Sequence, residues 1–166
     1  MIALALALAS TPPPPLDDGW HEATISVADL DARIAFFKDV VGWEMVSRGP
    51  VGREQLDAWR IPAGMTAQTA LVRQPGSPRG MVRLVAFSGA AEGARIRSSA
   101  RAWEAGGWAG LNLRVRDIEA VFRRLQQHSW HGFSDPVTFT VPPYRVREVM
   151  AVGPDGLTIS FIERVD

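Results

Sequence analysis

Two stretches of the chain repeat one pattern, an alternation of apolar and polar positions followed by a helical stripe. Ala23-Thr24-Ile25-Ser26-Val27 and Leu111-Asn112-Leu113-Arg114-Val115 each put apolar side chains on one face and polar side chains on the other. That period of two marks a half-buried strand. Val27-Ala28-Asp29-Leu30-Asp31-Ala32 and Val115-Arg116-Asp117-Ile118-Glu119-Ala120 then match position for position, so the chain carries an internal repeat. After each motif the spacing turns helical: Leu30, Ile34, Phe37 and Val41 in the first copy, Ile118, Val121, Phe122 and Leu125 in the second. Asp29 and Asp117 stand where a side-chain oxygen caps the first turn, and Gly42 supplies a left-handed stop.

Strand-like runs complete each half, at 68–73 and 81–87 in the first and at 145–152 and 157–163 in the second. Pro154-Asp155-Gly156 separates the last two and reads as a hairpin turn. Each half therefore runs strand, helix, strands, which predicts an α+β fold. Residues 18–166 are expected to form a single domain, with module one over about 20–88, a connector over about 89–107 and module two over about 108–166.

Composition narrows the partners. With 166 residues the chain is long enough for one core. Its 18 basic and 18 acidic residues cancel, so no net charge recruits nucleic acid or an anionic membrane. The absence of cysteine removes disulfides, thiolate metal sites and a thiol nucleophile. Residues 1–17 differ in kind: an apolar run from Ile2 to Ala9 ends in the small-x-small sequence Ala7-Leu8-Ala9, and four prolines follow. This has the form of an export signal and extended linker, although no Lys or Arg precedes the run and it is too short to span a bilayer. The reading is export to the periplasm if it is a signal, and a cytoplasmic protein otherwise.

The segments HEATISVADLDARIAFFKDVVGWEMV and VMAVGPDGLTISFIER resemble the opening and closing signatures of the vicinal oxygen chelate superfamily, which includes glyoxalases, bleomycin resistance proteins and extradiol dioxygenases. The resemblance implies two βαβββ modules forming a curved mixed sheet, a cavity on its concave face and helices on its outer face. It also implies a choice of activities, from lyase and oxygenase chemistry at a metal to metal-free drug sequestration, because a scaffold does not fix a function. Metal-dependent members place ligands on the first and last strand of each half, and the matching positions here are Glu22, Arg83, Gly110 and Ser160. Only Glu22 suits a metal: a guanidinium repels cations, glycine has no side chain and a neutral hydroxyl is a weak donor. A register slip of one residue would bring in His21, but it would also turn Ile25 and Val27 into the cavity.

The expectation is therefore a metal-independent protein that binds a small organic molecule, anionic or aromatic, with no metal ligand and no cofactor assigned. Strand parity places Glu22, Thr24, Ser26, Gly110, Asn112, Arg114, Met81, Arg83, Val85, Thr158, Ser160 and Ile162 on the cavity side. Arg83, Asn112, Arg114, Ser160 and Thr24 are the candidate ligand contacts, with Tyr144 as an aromatic wall; Trp43, Trp59, Trp108 and Trp130 are walls or core. Glu22 and Glu148 are the candidate acid–base residues. Glu22 and Arg83 are expected to pair and take the place of an ion. His128 and His131 are read as surface histidines. The alternatives are a metal-dependent glyoxalase- or dioxygenase-type enzyme using His21, Glu22 and Glu148 or Glu163, and a non-catalytic interaction module. The expected partner is a small-molecule ligand, with neither nucleic acid nor a membrane span, and a homodimer formed by pairing modules between chains is a further expectation.

Overall fold

Asp29 and Asp117 start the two long helices as the sequence predicts, accepting from Ala32 N at 2.9 Å and Ala120 N at 2.8 Å. In this computed structural model residues 20–89, 110–132 and 134–166 are described. The leader at 1–17 and almost all of the connector at 89–107, with Trp103, and Trp108 lie outside them.

Module one runs β1 (Glu22–Ser26), α1 (Leu30–Phe36) continued by a π-helical turn (Phe37–Val41), β2 (Glu44–Pro50), α2 (Arg53–Ala58), β3 (Thr66–Arg73) and β4 (Met81–Ser88). Module two runs β5 (Leu111–Val115), α3 (Ile118–Gln127), β6 (His131–Gly132), β7 (Val137–Val141), β8 (Tyr144–Val152) and β9 (Thr158–Arg164). The first sheet has the order β1-β4-β3-β2 and the second β5-β9-β8-β6, with β7 also paired to β8. In each module the first strand lies parallel to the last, Thr24 opposite Arg83 and Asn112 opposite Ser160. The fold is thus α+β, with two mixed sheets and two modules.

Gly42 stops the first helix in the left-handed region, φ 78°. Arg33, Phe36, Phe37 and Val40 face the core, while Ile34 and Val41 sit at its flank rather than at its centre, and for Val41 the π turn is the reason. Widening the turn by one residue moves each following side chain back around the axis. One apolar core spans both modules. It joins Ile25, Leu84, Phe36 and Val40 of the first to Leu113, Ile118, Leu125, Ile159 and Phe161 of the second.

Two contacts fasten module one to module two. Trp130 stacks on Phe36 with ring centroids 4.0 Å apart. Asp155, in the β8–β9 turn, accepts from Ala28 N at 3.0 Å and sets its second oxygen 2.9 Å from Arg33 Nε. The latter is an ion pair without hydrogen-bond alignment. Gly156 of the same turn has φ 76°, which glycine adopts without strain.

Candidate functional site

Because α1 and α3 cover one face of each sheet, the other face carries the polar positions of the alternation. In β1 Ile25 is buried while Glu22, Thr24 and Ser26 are exposed, and in β5 Leu111 and Leu113 are buried while Asn112 and Arg114 are exposed. This polar face holds the candidate residues. The sequence did not anticipate that α2 would close one end of it: Leu56 packs there against Ala67 and Val85, with Trp59 and Phe87 alongside.

In module one Arg83 grips Glu22 bidentately, Nε to Oε1 at 2.6 Å and Nη2 to Oε2 at 2.8 Å. Their side chains are 28% and 29% exposed, so water reaches the pair. The hydrogen bond to Glu22 raises Arg83 above its ordinary pKa, with burial opposing and charge attraction adding to the rise. Both Glu22 oxygens are therefore occupied by the guanidinium. Thr24 lies beside the pair, opposite Arg83 in register. A second ion pair, Arg73 to Glu44 at 2.8 Å, occupies the same sheet toward its β2 edge.

Module two is arranged differently. Register aligns Arg114, Ile162, Glu148 and Val137 in one row across β5, β9, β8 and β7, and Asn112, Ser160 and Met150 in the next. The Ser160 hydroxyl donates to Glu148 Oε1, which gives Glu148 the partner that the sequence left unnamed. Arg114 has no hydrogen bond or ion pair among the described residues. No hydrogen bond or ion pair among them joins this group to Glu22 and Arg83.

Other candidates fall elsewhere. Tyr144 lies at the far end of β8, with Arg164 Cζ 3.7 Å from its ring centroid. Trp130 is core, and Trp43 packs on Phe37. His131 is exposed on β6, and His128 meets Phe36 edge-on at 6.5 Å. Glu163 is on the opposite face, where its Oε2 accepts from Ile118 N at the start of α3. His21 precedes β1 and is exposed. A cleft of about 350 Å³ beside α3, lined by Phe122, Gln126, His131 and Asp135 among others, is separate from the polar face.

The positions that the family resemblance assigns to metal ligands are Glu22, Arg83, Gly110 and Ser160. Glu22 is held by a guanidinium and Ser160 by Glu148. Gly110 is closed as well as empty, since a Cβ there would stand 2.6 Å from the Thr158 carbonyl oxygen. Among the described residues no three metal-ligating side chains converge. The residues at these positions do not fit a divalent ion.

The sequence matches the Glyoxalase/Bleomycin resistance protein/Dioxygenase superfamily over residues 19–161. The chain belongs to this superfamily. Solved structures agree on the fold. A glyoxalase family protein from Bacillus cereus superposes with a TM-score of 0.73 at 20% identity, covering 96% of this chain and 100% of that one. A member of the superfamily from Sphaerobacter thermophilus gives 0.52 at 21% identity, covering 87% and 96%. The trypanothione-dependent glyoxalase I of Leishmania major gives 0.54 at 16% identity, covering 86% and 84%. No curated protein matches the sequence. At these identities the superfamily scaffold is shared, and the reaction has to be argued from the side chains.

Proposed function

We propose that this superfamily member works without a metal and binds a small organic molecule on the polar face of its sheets. The observation that carries the reading is the bidentate Glu22–Arg83 pair, which fills with an internal ion pair two of the positions where a metal-dependent relative would hold its ion. Arg114, exposed and unpaired among the described residues, supplies the charge for an anionic group. Asn112, exposed in the neighbouring row, flanks it with a hydrogen-bonding side chain, Ser160 is buried with its hydroxyl donated to Glu148, and Thr24 extends the polar lining on β1. Of the two acid–base candidates, Glu148 retains one oxygen with no hydrogen bond among the described residues, whereas both oxygens of Glu22 are engaged. Any proton transfer on this face therefore falls to Glu148.

A homodimer is the assembly that suits the surface. Val137, Phe139 and Val141 of β7 are 50%, 40% and 52% exposed on an edge strand, a row of apolar groups that association would shield. No helix of the described residues is long and apolar enough to cross a membrane.

The test is elemental analysis of the dialysed protein together with thermal shift against Zn²⁺, Ni²⁺, Mn²⁺, Fe²⁺ and a panel of organic anions. The expected result is no stoichiometric metal, no metal-induced shift, and stabilisation by anions that Arg114→Met abolishes. For Arg83→Ala the expected outcome is a loss of stability of about 1 kcal/mol with anion affinity nearly unchanged, because the guanidinium is already neutralised and its site is partly solvated. About one metal ion per chain after dialysis would overturn the reading in favour of a glyoxalase- or dioxygenase-type enzyme.

A further inference from the structure

From the row Arg114, Ile162, Glu148 we infer that the ligand is a zwitterion, a small amino carboxylate with an apolar side chain. This deepens the reading of the polar face as a ligand site and rests on it. Arg114 and Glu148 stand on β5 and β8 with β9 between them, so their Cα atoms are about 10 Å apart at the usual strand spacing. They do not pair with each other, and the side chain at the intervening position is Ile162, which offers no charge to either. Each lacks a counter-ion among the described residues. Arg147, next to Glu148 in sequence, turns to the other face and pairs with Glu119 there.

The carboxylate is the informative member. Glu148 is half-buried, and its only hydrogen bond among the described residues comes from the neutral hydroxyl of Ser160. The oxygen that Ser160 leaves free has no cation beside it among the described residues. An ammonium group from a ligand would meet the remaining oxygen, while the ligand's carboxylate would meet the Arg114 fork, with Asn112 in the neighbouring row to orient it. Beside Glu148 the surface is apolar: Val137 lies opposite it on β7 and Met150 lies two residues along β8, 50% and 38% exposed. They offer a seat for an apolar substituent next to the ammonium-binding end. In this role Glu148 binds a charge and does not react.

Three probes of one skeleton separate the possibilities: phenylalanine, 3-phenylpropionate, which lacks the ammonium, and phenethylamine, which lacks the carboxylate. Affinities are read by calorimetry on the full chain, and folding of each variant is checked by thermal melting without ligand. Phenylalanine is expected to bind at least about tenfold more tightly than either monopole, the scale of one charge-assisted hydrogen bond. Glu148→Gln, which preserves the side-chain shape and an acceptor for Ser160, should bring phenylalanine down to the affinity of 3-phenylpropionate. Arg114→Met should bring it down to that of phenethylamine. Equal binding of phenylalanine and 3-phenylpropionate, lost in Arg114→Met, would overturn the zwitterion while leaving the anion site in place. Failure of all three probes, with other organic anions still giving an Arg114-dependent shift, would also overturn it and spare the anion site. If no anion binds, both readings fall.

Discussion

Asp155→Ala tests how the two modules are held together. The side chain performs two tasks at the module boundary: Oδ1 accepts from Ala28 N, and Oδ2 faces Arg33, with only 5% of the Arg33 side chain and 9% of the Asp155 side chain exposed. Removing the carboxylate strands a buried guanidinium, which typically costs about 3–5 kcal/mol. The lost hydrogen bond from Ala28 N adds about 1 kcal/mol. Arg33 Cζ lies 6.0 Å and 5.7 Å from the rings of Phe36 and Trp130, and these faces return on the order of 1 kcal/mol to a desolvated cation. The net expectation is a loss of about 3–5 kcal/mol, a large share of the roughly 5–15 kcal/mol that a domain has. Urea unfolding followed by tryptophan fluorescence measures it. The second arm is the double variant Arg33→Met with Asp155→Ala, in which a flexible apolar chain fills the space against Phe36 and Trp130. It should be at least about 1.5 kcal/mol more stable than Asp155→Ala alone, because the uncompensated charge has gone. A single variant that loses less than about 1 kcal/mol, or a double variant no better than the single, would refute the view that this pair joins the modules.

Two further predictions concern packing and pH. Gly153→Ala would place a Cβ 2.6 Å from Cζ2 of Trp130, a ring already stacked on Phe36, and should cost about 1–3 kcal/mol by overpacking, read as a lowered urea midpoint; an unchanged midpoint would mean that the Trp130–Phe36 stack yields. Asp166 accepts from Arg145 N at 2.9 Å and from Arg164 Nε at 2.9 Å, and these contacts, the Arg145 backbone bond first, hold its carboxyl below the ordinary 3.8. A lowered folded-state pKa stabilises the protein above the unfolded-state value and ceases to do so as the pH falls through the folded one. Asp166→Asn should therefore show a small loss of stability at neutral pH that fades in acid, measured as the difference in midpoints; a difference independent of pH would refute the view that these contacts favour the ionised carboxylate.

What the sequence made legible was whatever repeats and alternates with one face buried. The two Asp caps and the turn at Gly156 follow from the repeated motif and the turn residues, and the Glu22–Arg83 contact follows from the positions that the family resemblance assigns. The edge elements were harder to see. β2 is exposed along nearly its whole length and carries an irregular register between Met45 and Ser47, so no buried face imposes a period on it. β7 does alternate, Val137-Thr138-Phe139-Thr140-Val141, but it lies between Pro136 and Pro142-Pro143 and every residue in it is exposed. α2 has six residues and only Leu56 buried, too few for a helical stripe. The partner of Glu148 was hidden for another reason. Ser160 is adjacent only through the antiparallel register of β8 and β9, in which Met150 rather than Glu148 lies directly opposite, and the contact runs diagonally.

At the positions that the family resemblance assigns to metal ligands the two modules are arranged differently, and the difference bears on where a ligand would sit. Module one has the carboxylate of Glu22 and neutralises it with Arg83, which leaves a locally balanced pair. Module two has no acid at the corresponding place: Gly110 lies against the Thr158 carbonyl and Ser160 is tied to Glu148. A balanced pair gains little from an added ligand, since any ion approaching it must break an interaction before forming one. Arg114 and Glu148 have nothing comparable to lose. The unused electrostatic capacity of the polar face is thus concentrated in module two, and variants there are expected to change binding, whereas variants of Glu22 and Arg83 are expected to change stability.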